Sequence, residues 1–496
     1  MFKITILLLI ILSFILRTLF IPQGSVSFHY DMARDAFLAL QIWNNFDLKI
    51  IGPPTSTPGL FHGPLYYYLL APLYGLGKGD PRVAAFFLSF LNSLAVIPIM
   101  LLAKDLFKNL KLVILAGALF ALSFEATQYG PWLSNPSPAV LTVVLFFYFL
   151  RIWQKGKLSG LYFAALMAVF SFQFQFFLIY LLLLIPLFGY IFKIKLNLRQ
   201  IFISLLIIFL GLGTFIISAV KFKTVQSIFS GFLNITTSSQ IDFRSQFSDL
   251  LLNYIDRFTE IFIYNFFPTN VFLGGLLAIL VLLFLRKGKF ILFILFSNLP
   301  IFIFGGHSNT YVNVGLLSGA ILAVINLIKL TAKWSKLFPA ILIGVIFSSN
   351  LYAFFKNAPL GQIILVIPND MVLKNQMKLI DFTYEKAEGQ SFSINTLTLP
   401  LWTNTTWAYL YSWYGQKKFG YLPKFYGHDQ IGLLGNKVLE KVDKPLDKTF
   451  FIIEPHVGIP DNIYHLEIGS EDSKSELISE EKFGDLRVQE RKPINE

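Results

Sequence analysis

The chain has no cysteine, which removes disulfides, thiolate catalysis and thiolate-bound metals at once. Charge is scarce as well: Asp, Glu, Lys and Arg make up 14% of 496 residues, against about 25% in soluble proteins. No internal repeat stands out, and no His-Glu-x-x-His, clustered His or nucleophile elbow appears. The run Gly75-x-Gly77-x-Gly79 is too sparse for a phosphate loop. Together these absences argue against disordered, collagenous, coiled-coil and nucleic-acid-binding chains. What remains is apolar: 55% of residues are hydrophobic and 54 are Phe. Apolar runs near 20 residues recur, so the chain reads as an α-helical polytopic membrane protein.

The formal net charge of +12 is unevenly spread. Residues 1–355 hold 25 Lys and Arg against 10 Asp and Glu, while residues 356–496 hold 16 against 19. The cationic excess lies in the membrane part, where it reports topology. Eleven spans are expected, at 4–21, 83–103, 112–128, 138–150, 159–173, 175–192, 200–220, 271–285, 290–304, 311–328 and 337–355. The first has no small-residue cleavage site after it and reads as a retained anchor. Five alternate loops carry three cations each: Lys104, Lys108 and Lys111; Arg151, Lys155 and Lys157; Lys193, Lys195 and Arg199; Arg286, Lys287 and Lys289; Lys329, Lys333 and Lys336. Such loops stay cytoplasmic, which predicts a cytoplasmic N-terminus in a plasma (inner) membrane. The loops 22–82 and 221–270 and the tail then face outward.

Two domains follow: a membrane domain over 1–355 and a small extracytoplasmic α/β domain over 356–496. The tail offers strands at Gln362–Pro368, Ser391–Pro400 and Phe450–Pro455 and a helix near Thr406–Trp413. Its Trp402, Trp407, Trp413 and Tyr414 fit either a carbohydrate-binding face or a small core.

The outward loop 22–82 carries the chemistry. In His29-Tyr30-Asp31-Met32-Ala33-Arg34-Asp35, helical spacing puts Asp31, Arg34 and Asp35 on one face. A carboxylate just outside the bilayer beside a cation suits a general base for an acceptor hydroxyl or amine, with Arg34 neutralising a phosphate leaving group. The same spacing fits an interfacial helix that Asp31 caps, with a solvated Arg34–Asp35 pair. Further on, His62-Gly63-Pro64-Leu65-Tyr66-Tyr67-Tyr68 reads as a turn into an interfacial aromatic helix. There His62 is positioned to contact a phosphate and the tyrosines a sugar face; the plainer reading is an aromatic belt.

The order of these features resembles the GT-C superfamily: one span, an acidic motif opening an outward helix, a His-x-Pro-Leu-Tyr-Tyr motif, then many spans. These are polytopic glycosyltransferases that use polyprenyl-phosphate sugars. The similarity covers roughly residues 1–350 and points to glycosyltransferase family 39, the bacterial branch with protein mannosyltransferases and aminoarabinose transferases. It implies a GT-C-like fold and Asp31 as catalytic base. The family's motif is commonly Asp-Glu, whereas here Met32 takes the second place, so Asp35 stays an alternative. Arg34 and His62 are carried over as phosphate-binding candidates, Tyr66 and Tyr67 as substrate-binding ones.

Three further places follow. Glu125 is the only carboxylate within an expected span, where an ionisable group faces a cavity or a partner. Asn135 lies in Trp132-Leu133-Ser134-Asn135-Pro136, which is similar to an outer loop of the family. His307 and Tyr311 stand where related transferases place a basic residue and a Tyr toward the lipid phosphate.

The reading that results is a membrane glycosyltransferase of GT-C type. It moves a hexose or pentose from a polyprenyl-phosphate donor to a lipid, protein or glycan acceptor on the outer face, with inversion. No cofactor or metal is required by any motif, although the loop acids offer oxygens to a divalent cation, and no nucleic acid is expected. The rival is a transporter or flippase for a lipid-linked or small solute. Against it, the spans are nearly free of charge and the polar chemistry gathers at one membrane face.

Overall fold

The computed structural model describes residues 2–55, 59–222, 243–285, 288–303, 310–365 and 370–494. Helices dominate, and each of the eleven expected spans contains one: α1 (Phe2–Thr18), α4 (Pro81–Ser93), α5 (Val96–Phe107), α6 (Leu110–Leu122), α8 (Pro136–Gln154), α9 (Leu158–Phe174), α10 (Tyr180–Ile191), α11 (Leu198–Gly211) and those after it. Two further helices, α2 (Tyr30–Asn45) and α3 (Leu65–Leu76), lie in the first loop, and the short α7 (Phe124–Tyr129) follows α6. Among the described residues three helices are long and apolar enough to cross a membrane: Pro81–Phe107, Pro136–Gln154 and Leu337–Leu360. Counting each bent pair as one span raises that to five.

The expected spans differ from the structure in being broken, and each break has a local cause. The span 112–128 divides at Ser123, whose side chain accepts the Ala126 N–H and starts α7. The buried Arg17 guanidinium, bonded to Asn92 at 2.7 Å, also reaches the carbonyls of Phe120 and Ala121 at the end of α6. It thus satisfies groups that no helix continues to pair. After α9 the backbone of Gln175 turns extended (φ −139°), separating α9 from α10. α11 meets α12 (Gly213–Lys221) at 54°. The segment 221–270, read from sequence as a polar loop, contains the helix Phe243–Phe266. It buries Ile261, Phe262 and Phe266 and turns by 109° into Val271–Phe284. A helix with a polar flank lacks the hydropathy that marks a span, which is why its composition misled.

The tail forms a five-stranded sheet in the order β2-β1-β3-β5-β4, comprising β1 (Ser393–Leu397), β2 (Lys424–Phe425), β3 (Thr449–Ile453), β4 (Ser475–Phe483) and β5 (Leu486–Pro493). β1 runs parallel to β2 and β3, and β5 is antiparallel to β3 and β4. Two of the three expected strands are present. The third, at Gln362–Pro368, is instead a turn over 363–365, with 366–369 outside the described residues. The Gln362 side chain is used differently: its Oε1 accepts the Ser27 N–H at 2.8 Å. β4 escaped notice because an edge strand reading Ser-Glu-Leu-Ile-Ser-Glu-Glu-Lys-Phe is largely solvated and shows little apolar alternation.

This small domain is sewn to the first loop. Phe28 N–H bonds to Met371 O at 2.8 Å, Leu373 N–H to Val26 O at 3.0 Å, and Gln376 Nε2 to Phe28 O at 2.7 Å. The ring of Tyr409 lies among Phe28, Phe37 and Tyr74, and its hydroxyl donates to Gly79 O at 2.5 Å. α2 is therefore gripped from outside.

Candidate active site

α2 begins after His29, whose backbone is extended, and ends where Phe46 adopts a left-handed conformation and donates its N–H to Ile42 O. Its buried stripe (Met32, Ala33, Ala36, Ala39, Ile42) repeats at helical spacing with small side chains, which lets neighbours approach. α3 comes close enough that a Cβ on Gly75 would lie 2.3 Å from the Trp43 indole. This hairpin fixes which face of α2 carries polar groups.

On that face Arg34 is the hub. Its Nη1 donates to Asp31 Oδ1 at 2.6 Å, and its Nε donates to Asp35 Oδ1 at 2.8 Å. The two acids differ sharply in environment: the Asp31 side chain is 57% exposed and that of Asp35 only 4%. Burial lifts the Asp35 carboxyl to about 6 despite the adjacent guanidinium. Burial also opposes the Arg34 charge, but Asp35 and Asp31 outweigh it and raise its pKa above the ordinary value. The Tyr67 hydroxyl lies beside the same pair, near both Asp35 and Arg34. Beside it Tyr66 is fully buried, and among the described residues its hydroxyl has no partner. Three of the five guanidinium N–H groups are engaged with the carboxylates, leaving donors for a phosphate.

His62 has a role that sequence did not show. Its Nδ1 accepts the Phe176 N–H at 2.9 Å, while Gly63 N–H donates to Gln173 O at 2.9 Å. The His-Gly turn thus caps the break between α9 and α10. Glycine suits position 63 because a Cβ there would sit 2.9 Å from the Gln173 Cα, a backbone atom that cannot move aside. Burial, helped by nearby Arg34, depresses the His62 imidazole to about 3. It is neutral, and with Nδ1 accepting, its proton sits on Nε2. Asn135 works at the same break, its Nδ2 donating to Phe174 O at 2.7 Å and Gln175 Oε1 at 2.8 Å.

Glu125 lies elsewhere, 5% exposed, and accepts from Asn265 Nδ2. Asn265 Oδ1 takes a hydrogen bond from Ser123 Oγ at 2.5 Å, and Asn350 Oδ1 takes one from Phe124 N–H at 2.7 Å. This network ties α7 to the helices Phe243–Phe266 and Leu337–Asn357, so Glu125 has a protein partner. No sequence motif signals Asn265 or Asn350. Tyr311 packs against Trp132 at 6.2 Å and Phe177 at 6.5 Å between ring centres. Phe177 follows the residue that His62 caps, so Tyr311 and Asn135 flank the same helix break as His62. His307 lies outside the described residues. The structure thus gathers Asp31, Arg34, Asp35, Tyr66 and Tyr67 with His62 nearby, and gives Glu125 a hydrogen-bond partner in Asn265. Among the described residues no group of three or more His, Asp and Glu is arranged to hold a metal ion.

No family model matches the chain, and no curated protein matches it. Solved structures do. ArnT from Cupriavidus metallidurans bound to undecaprenyl phosphate superposes with a TM-score of 0.55 at 10% identity, covering 98% of this chain and 97% of that one. The same protein in the apo state gives a TM-score of 0.53 over the same shares. The likeness covers the chain nearly from end to end, and the chain therefore shares the fold of ArnT.

Proposed function

We propose that this protein is an integral membrane glycosyltransferase that uses a polyprenyl-phosphate sugar and works at the outer membrane face. The observation that carries the reading is the Asp31–Arg34–Asp35 triplet: an exposed carboxylate, a half-engaged guanidinium and a buried carboxylate that anchors it. That one neighbour of the same fold binds undecaprenyl phosphate supports a lipid-linked donor here.

In the proposed reaction the donor's phosphate meets the free N–H groups of Arg34, which are held in place by Asp35 and Tyr67. Phosphate competes with Asp31 for the guanidinium and so frees an Asp31 oxygen to accept the acceptor's proton. Asp31 then takes the proton of an acceptor hydroxyl or amine as its oxygen or nitrogen attacks the anomeric carbon. The C1–O bond to phosphate breaks, polyprenyl phosphate leaves with the electron pair stabilised by Arg34, and the anomeric centre inverts. Neutral His62 contributes as an N–H donor rather than as a cation. The acceptor is a lipid, protein or glycan of the cell envelope, and the cation-rich loops lie on the opposite, cytoplasmic side.

Membranes containing the protein, supplied with a radiolabelled polyprenyl-phosphate sugar, should form labelled product. Asp31→Asn should lower the rate about 10²–10⁴-fold with unchanged membrane insertion. Full activity in both Asp31→Asn and Asp35→Asn would overturn the mechanism.

A further inference from the structure

The terminal domain holds a second cluster of polar and aromatic side chains, and its place in the sheet is informative. Ile394 and Phe450 lie on the face covered by the helix Leu373–Ala387 and by Trp407 and Tyr411, as the contact of Phe382 with Phe450 shows. Leu397, Phe451 and Ile453 lie on the other, against Tyr464 and Ile468 of the helix Asp461–Asp472. The chain leaving β1 therefore goes to one face and the chain leaving the adjacent parallel strand β3 goes to the other. That is a topological switch point, and in open sheets ligands bind in the crevice it opens at the carboxyl ends of the strands. Three loops meet there: Trp402 follows β1, His428 follows β2, and Glu454 follows β3 directly.

The side chains in this crevice are fixed but not buried. Trp402 Nε1 donates to Glu467 Oε1 at 2.8 Å, and His428 Nε2 lies 3.2 Å from Glu467 Oε2. The Trp402 and His428 rings are 5.3 Å apart. Gln430 holds the loop from beneath, donating to Trp402 O at 2.9 Å and accepting Asn404 N–H at 2.8 Å. Trp402 nevertheless adopts φ 59° and remains 44% exposed. A bulky residue in the left-handed region is strained, and such strain persists where surrounding contacts over-determine it, most often at ligand sites. Its hydrogen bond to Glu467 and its contact with His428 hold the indole in that conformation while leaving much of the ring open to solvent.

We propose that this crevice binds a saccharide, which stacks its C–H face on Trp402 and bonds its hydroxyls to His428 and Glu467. A pyranose presents that combination of an apolar face and a polar rim, and Glu467 keeps lone pairs free after its two protein contacts. Trp407, Ala408 and Tyr409 follow Trp402 within a few residues, and Tyr409 packs on Phe37 of α2. A glycan seated here is thus joined by a short, rigid segment to the helix bearing Asp31. In its choice of ligand class the inference rests on the proposed function, with the crevice holding part of a glycan acceptor.

The full-length protein in detergent tests it on an array of immobilised short saccharides built from neutral, amino and acidic sugars. The wild type should be retained on at least one class. Trp402→Ala should weaken that retention about tenfold, His428→Ala should weaken it as well, and Trp402→Tyr should keep most of it. Asp31→Asn should bind like the wild type while losing transfer, so the two readings fail separately. No retention by the wild type, or equal retention by Trp402→Ala and His428→Ala, overturns the proposal.

Discussion

The imidazole of His62 accepts the backbone N–H of Phe176 at 2.9 Å, joining the first long loop to a break between two apolar helices. A residue placed by sequence as a phosphate contact is also a cap for a backbone group that no helix serves. Both uses are compatible, since the second nitrogen carries the proton.

The cap gives a stability prediction. His62→Ala removes the side-chain acceptor of the half-buried Phe176 N–H and should destabilise the protein by about 1 kcal/mol, seen as a lower unfolding temperature in detergent. His62→Asn, which offers an acceptor oxygen, should recover part of that loss. With the imidazole held near 3, no kinetic inflection in the pH 6–7 range should vanish in either variant.

Asp35 gives a pH prediction. Its folded pKa of about 6 lies above the unfolded value of about 3.9, so between them the folded state binds more protons. Stability should therefore fall as pH rises from about 4 to 6 and level off above, and Asp35→Asn should flatten that slope. Transfer should show the opposite trend, because protonated Asp35 loosens Arg34: the wild-type rate should drop as pH falls through about 6. Thermal unfolding and initial rates across this range measure both.

Asn265 separates packing from chemistry. It serves Glu125 and Ser123 together, so Asn265→Ala strands two buried groups and should cost about 2–4 kcal/mol. Glu125→Gln keeps the shape and should leave transfer within about threefold, a change below 1 kcal/mol. A loss as large as that of Asp31→Asn would instead put Glu125 in the reaction.

Tyr409 tests the grip of the terminal domain on α2. Tyr409→Ala removes a fully buried ring packed on Phe28, Phe37 and Tyr74 and should cost about 3–5 kcal/mol. Tyr409→Phe loses only the bond to Gly79 O and should cost about 1 kcal/mol. If α2 depends on this contact, transfer should fall in the first variant far more than in the second.

Much of the candidate site was legible because helical spacing is local. Asp31, Arg34 and Asp35 stand within one turn, so sequence alone sets their common face. It does not set which acid is exposed: Asp35 is buried beside Tyr66, Tyr67 and Tyr74 of α3, while Asp31 stays in solvent. Glu125 shows the converse. A carboxylate in an apolar stretch announces that it has a partner, but Asn265 is 140 residues away and carries no signal of its own.

The sequence by itself determined the membrane class, the helix in each expected span and the α/β character of the tail, because hydropathy and periodicity are properties of contiguous residues. Only the tertiary structure decided where spans break, that His62 is a neutral cap, that helices of the tail clamp α2, and that Trp402 and His428 meet at Glu467. Those outcomes depend on which buried backbone and side-chain groups find partners far along the chain, and such pairing is settled by three-dimensional packing.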